Sequence, residues 1–114
     1  MKIAVNIKKK EEMPYNTYDD YYIKDDTLVF DIVGSQNDVY TRIMLVHALV
    51  EQILSEAKGI SSEAITAFDL SHNDCREPGE HPDSPYKMAH LIAKGIEMLL
   101  CANLGIDWRE YENG

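Results

Sequence analysis

Apolar positions along this chain follow two periods. Near the start, Ile3, Val5 and Ile7 alternate with Lys2, Ala4 and Asn6. A period of two predicts a half-buried strand. Residues 8–17 are charged and contain Pro14, which predicts a loop. Strand-forming Tyr21-Tyr22-Ile23 and Thr27 to Val33 then flank Lys24-Asp25-Asp26, a hairpin signal. Gly34-Ser35-Gln36-Asn37 breaks the run. From Asp38 the period becomes helical. Asp38 is the expected N-cap of a long helix reaching about Lys58, with Gly59 as its stop. Val39, Ile43, Val46, Val50, Ile53, Leu54 and Ala57 form its expected core stripe. His47 and Glu51 fall at the edge of that stripe, flanked by Tyr40, Met44 and Leu54, while Thr41, Gln52 and Ser55 are assigned to the solvated side.

Ser61 or Ser62 is the expected cap of a second helix carrying Ala64, Ile65, Phe68 and Leu70. Residues 71–85 form a long polar loop with three prolines, holding His72, Asp74, Glu77, Glu80, His81 and Asp83. Loops of this length are often functional, and this one offers ligand types. A last long helix runs from about Tyr86 to Asn103. Ala89, Ile92, Ala93, Ile96, Leu99 and Leu100 make a broad apolar face, with Leu91 and Met98 on another side. A helix apolar over most of its circumference is largely buried. His90, Lys94, Glu97 and Cys101 share the remaining strip. Gly105 ends the helix, and Asp107, Trp108 and Tyr111 form a short tail expected to close the core.

These elements predict a single α+β domain over residues 1–114. A small antiparallel sheet, made of the first strand plus the hairpin, packs on two long helices with a short helix between them. A chain of this length buries roughly two-thirds of its unfolded surface and needs no disulfide staples. Cys75 and Cys101 form no framework, which suits a reduced, cytoplasmic chain. The net charge of −9 disfavours nucleic acid and anionic lipid, because both require clustered cations. Only Lys8-Lys9-Lys10 clusters, and Glu11-Glu12 follow at once. No apolar stretch reaches membrane-spanning length, and the first residues lack a signal-peptide apolar core. The acidic balance suits attraction of cations.

The chemistry lies in two helix-spaced His/Glu sets. His47 and Glu51 are at i,i+4 and His90 and Glu97 at i,i+7, so each set returns to one helix face. Imidazole and carboxylate are ligands for a divalent cation such as zinc. An unpaired carboxylate on a largely buried helix is costly, so Glu97 needs a partner. Three readings follow: one metal site closed by both helices, a buried His–carboxylate network without metal, or ordinary surface residues. Asp69, beside Phe68, is a further candidate, either as a ligand or as a carboxylate accepting the second N–H of a ligating His. Tyr15, Tyr18, Tyr21 and Tyr22 offer an acidic, aromatic surface for a protein partner, or simply pack on the core. No Gly-rich phosphate loop, G-x-S-x-G or H-E-x-x-H is present.

The strand LVFDIVG followed by VYTRIMLVHALVEQIL resembles a minimal zincin, in which a strand precedes a helix carrying H-E-x-x-H. In His47-Ala48-Leu49-Val50-Glu51, Ala48 stands at the position of the general-base Glu and Glu51 at that of the second His. The resemblance implies a metal pair without the water-activating group. The chain also resembles a family of small uncharacterised bacterial and phage proteins. That likeness rests on His47-x-x-x-Glu51, Ala67-Phe68-Asp69, Glu77-Pro78-Gly79-Glu80, Pro85-Tyr86, His90, Glu97 and Leu104-Gly105-Ile106-Asp107-Trp108. Family members often carry H-E-x-x-E at the first helix, from which Ala48 departs, and the likeness implies no biochemical function.

The resulting expectation is a zincin-like domain binding one divalent metal ion through His47, Glu51 and His90. Glu97 or Asp69 would be the fourth ligand or an outer partner. Zinc leads, and two His with one carboxylate also suit iron or manganese. With Ala48 in place of the base, a non-catalytic centre joining two helices is favoured. The alternative is a metal-dependent hydrolase in which Glu97, Asp69 or a loop carboxylate replaces the base.

Overall fold

A computed structural model describes residues 1–113. Strands β1 (Lys2–Lys8), β2 (Asp19–Lys24) and β3 (Thr27–Val33) precede helices α1 (Asp38–Ala57), α2 (Ser62–Ser71), α3 (Lys87–Leu104) and α4 (Trp108–Asn113). Short 3-10 turns lie at Lys10–Glu12 and Pro78–Glu80, inside segments expected to be loop. The hairpin reverses at Asp25 and Asp26, both with positive φ. Asp tolerates that conformation, and two such residues suit a tight hairpin.

The sheet is mixed rather than antiparallel. Its order is β1-β3-β2, with β3 antiparallel to β2 and parallel to β1. Alternation reveals faces but not strand direction. It also misplaced the burial of β1. Ile3, Val5 and Ile7 pair with Leu28, Phe30 and Ile32 and point the same way, yet Ile3 is 64% exposed. The helices pack over β2 and β3, leaving β1 as an uncovered edge.

Asn37, not Asp38, caps α1, its side chain accepting from the amides of Val39 and Tyr40. Gly59 and Gly105 take the left-handed conformation that closes α1 and α3, where a Cβ would be strained. Ser61 caps α2.

The buried stripes differ from the expected ones. On α1 they are Ile43, His47, Ala48, Glu51, Gln52 and Ser55, while Ile53 is exposed. Gln52 and Ser55, expected in solvent, are inside. On α3 they are Ala89, His90, Ala93, Glu97 and Cys101, and Leu99 is exposed. The expected faces followed hydrophobicity. The observed faces carry small residues, Ala48, Ser55, Ala89 and Ala93, which let α1 and α3 approach with the His and Glu side chains between them. Two apolar clusters flank this polar seam. Tyr21, Leu28, Phe30, Ile32, Ala48, Ile65 and Tyr86 form one, and Ile43, Cys101 and Tyr111 the other. No helix among the described residues is long and apolar enough to cross a membrane.

Candidate metal centre

Helical spacing places His47 and Glu51 one turn apart on α1, and α3 brings His90 against them. All three are buried, and Glu51 is 4% exposed. One Glu51 oxygen, Oε2, lies 3.1 Å from His47 Nε2 and 3.1 Å from His90 Nδ1. Each of the three residues offers a ligand atom within 4.8 Å of those of the other two. Ligands about 2.0–2.1 Å from a tetrahedral ion stand about 3.3 Å apart, so the spacing suits a cation at their centre.

The atoms facing away from this point are also engaged. His47 Nδ1 meets Glu97, which also accepts from the Tyr111 hydroxyl. His90 Nε2 lies 3.5 Å from Glu77 and 3.4 Å from Glu80. Glu51 Oε1 accepts from the Tyr21 hydroxyl at 2.9 Å. Lys94 donates to Glu77 at 2.9 Å and Glu80 at 2.6 Å, neutralising the outer acids. The Pro78–Glu80 turn holds this arrangement closely, since a Cβ on Gly79 would fall 2.6 Å from His90 Cγ.

Electrostatics bind the cluster together. Burial lowers the His47 pKa, but hydrogen bonds to Glu51 and Glu97 and the charge of Asp19 outweigh it, raising it to about 11. His90 is likewise depressed by burial and lifted by Glu51 and Glu77, to about 9. Burial opposes ionisation of Glu51, but the two histidines hold it at about 2. His90 and Lys94 also hold Glu77 far below the ordinary carboxylate range. Burial raises the Tyr21 and Tyr111 hydroxyls, which stay neutral donors.

A cavity of about 600 Å³ opens onto the group, lined among others by Asp19, His47, Glu51, Asp69, His90 and Glu97. The structure thus brings His47, Glu51, His90 and Glu97 to one point. Asp69 lines the cavity but gives its carboxylate to the Tyr86 hydroxyl at 2.5 Å, and burial raises its pKa to about 6. Of the loop residues, Glu77 and Glu80 reach the centre. His72 and His81 instead stack near Phe68. Ala48 is fully buried in the apolar cluster with Phe30 and Ile32, so that helix position faces the sheet core. Asp19, Tyr21 and Tyr111 were not among the residues the sequence singled out for the centre. Asp19 and Tyr21 share one face of β2 in the structure, and nothing in the sequence shows that α1 crosses that face. The other hairpin tyrosines divide: Tyr18 is exposed, and Tyr15 and Tyr22 are half-buried.

No protein-family model, curated protein or solved structure matches the chain. The fold and site define an α+β protein with a buried His/Glu cluster bridging α1 and α3 that could hold a metal ion.

Proposed function

We propose that the protein binds one divalent transition metal ion through His47 Nε2, a Glu51 oxygen and His90 Nδ1. Zinc is the first candidate, followed by iron and manganese. The observation that carries this reading is the pairing of each histidine. One ring nitrogen of each faces Glu51, and the other faces a separate carboxylate, Glu97 or the Glu77–Glu80 pair. Metal-ligating histidines are held in this way, with the outer carboxylate fixing ring orientation and tautomer.

Three protein ligands beside a cavity suit a site with one position left open, the arrangement of catalytic rather than closed structural zinc sites. A metal there would supply Lewis acidity and lower the pKa of a water bound to it. We therefore favour metal-assisted hydrolysis of a small substrate over a purely joining role. The placement of His47 and Glu51 on a helix behind a strand is the feature shared with zincins. A second reading has its own support: Tyr21, His47 and His90 already satisfy Glu51 by hydrogen bonds, so the cluster can join the helices without an ion.

Metal analysis after metal-replete purification distinguishes the readings. The expected result is one equivalent of metal in the wild type, loss of it in His47→Gln and His90→Gln, and a higher melting temperature on adding zinc. Absence of stoichiometric metal together with an unchanged melting temperature would falsify the metal reading.

A further inference from the structure

The sheet sends a second acid toward the centre. Asp19 pairs with Ile32 in the β2–β3 ladder, and Ile32 is fully buried under the helices. Strand side chains alternate, so Asp19 points the same way as Tyr21, whose hydroxyl reaches Glu51. Asp19 lines the cavity with all three candidate ligands. Its carboxylate lies within the electrostatic reach of His47, Glu51, His90 and Glu97. It is not in the converging group of His47, Glu51 and His90, so it lines the same cavity outside the ligand set.

The neighbouring acids are already engaged. Glu97 is held by His47 and Tyr111, Glu77 and Glu80 by His90 and Lys94, and Asp69 by Tyr86. Among the described residues, no hydrogen bond or ion pair engages the Asp19 carboxylate. Only its main chain is tied, to the Thr17 hydroxyl. Asp19 is half-buried, so its carboxylate opens onto the cavity, where a bound water can use its lone pairs.

We propose that Asp19 is a positioning residue facing the open coordination position, where it accepts a hydrogen bond from a bound water and disfavours anions. This inference rests on the metal reading above. It assigns to the sheet a carboxylate role that the helix cannot fill at Ala48, whose side chain faces the core.

The test uses the cobalt-substituted protein, whose visible absorption reports ligands at the metal, with azide as the probe anion. In Asp19→Asn, cobalt affinity should fall, because the same negative charge attracts the cation, but the visible absorption of the bound cobalt should keep its wild-type intensity, because no ligand is lost. Azide should bind about tenfold tighter or more, because a negative charge facing the open position is gone. A changed absorption intensity in the azide-free cobalt protein, reporting a change of coordination, would make Asp19 a ligand and overturn the proposal. Unchanged azide affinity would overturn it too, by showing that Asp19 does not face the open position. A wild-type protein that takes up no cobalt defeats the metal reading itself, a separate result. Far-UV circular dichroism verifies folding, and Asp19→Ser provides the same comparison should the Asn variant not fold.

Discussion

Asp31 and Glu51 are both buried carboxylates, and their surroundings differ in kind. Asp31, on the outer face of the sheet, is 2% exposed. It accepts from Asn6 at 2.9 Å, Lys8 at 3.1 Å and Tyr22 at 2.9 Å. Glu51, between α1 and α3, accepts from Tyr21 and faces two histidines. The partners of Asp31 are an amide N–H, an ammonium and a hydroxyl, and neither the amide nitrogen nor the charged ammonium has a lone pair to offer a metal. A histidine nitrogen can lose its proton and present a lone pair at the same place. The Asp31 cluster can therefore only hold the sheet together, whereas the Glu51 cluster can exchange protons for a cation. Burial of an acid is common to both. What separates them is the identity of the donors and the cavity that opens onto Glu51 alone.

The comparison is broken most sharply by removing the two acids. Glu51→Ala leaves two facing, buried histidines without their shared carboxylate. We expect a loss of about 3–5 kcal/mol in urea unfolding, the usual cost of breaking a buried pair, and no response of the melting temperature to zinc. Asp31→Ala should cost about 1–3 kcal/mol, because it removes the bonds from Asn6, Lys8 and Tyr22, while leaving the zinc response intact. Zinc stabilisation that survives Glu51→Ala, or vanishes in Asp31→Ala, would reverse the assignment of roles.

Gly79→Ala probes the centre without removing any polar group. The added Cβ meets the His90 ring, so the turn or the ring must move. A loss of about 1–3 kcal/mol is expected from such overpacking, with weaker zinc binding. Calorimetric zinc titration giving wild-type affinity would show that the outer turn does not position His90.

The smallest effect is a difference in pH dependence without metal. The His90 and His47 pKa values are raised, to about 9 and about 11. Their stabilisation is therefore fully present below the unfolded value near 6.5 and falls as pH rises through about 9 and then about 11. Asp31 is lowered: burial opposes ionisation, but Asn6, Lys8 and Tyr22 favour it more strongly. Its contribution is present above the unfolded value near 3.8–3.9 and is lost only as pH falls below that range. Metal-free wild type should thus show a decline in melting temperature toward pH 10 that a His47→Gln, His90→Gln double variant lacks. Asp31→Asn should flatten only the acid side. Identical alkaline limbs in wild type and the double variant would show that the histidines are not held charged by the centre.

Much of the arrangement was legible in the chain, and the misses have physical causes. The i,i+4 spacing of His47 and Glu51 and the apolar setting of His90 and Glu97 pointed to a shared centre, because helix periodicity converts spacing into direction. Hydrophobicity misjudged which faces of α1 and α3 meet. Close helix packing here follows small side chains, and it leaves Ile53 and Leu99 outside. The 3-10 turn that carries Glu77 and Glu80 to His90 has no periodic signature, so its acids could be noted but not placed.

The sequence by itself determined the elements: where strands turn, where helices begin near Asn37 and Ser61 and stop at Gly59 and Gly105, and which residues on each helix share a face. These follow from local sterics, capping and periodicity, which act over a few residues. Tertiary structure alone decided that β1 runs parallel to β3, that Ala48 faces the core, and that Asp19 and Tyr21 from the sheet meet Glu51. Those relations join distant positions, 25 residues apart for β1 and β3 and 30 for Tyr21 and Glu51. They depend on how whole surfaces pack, which no local pattern of residues encodes.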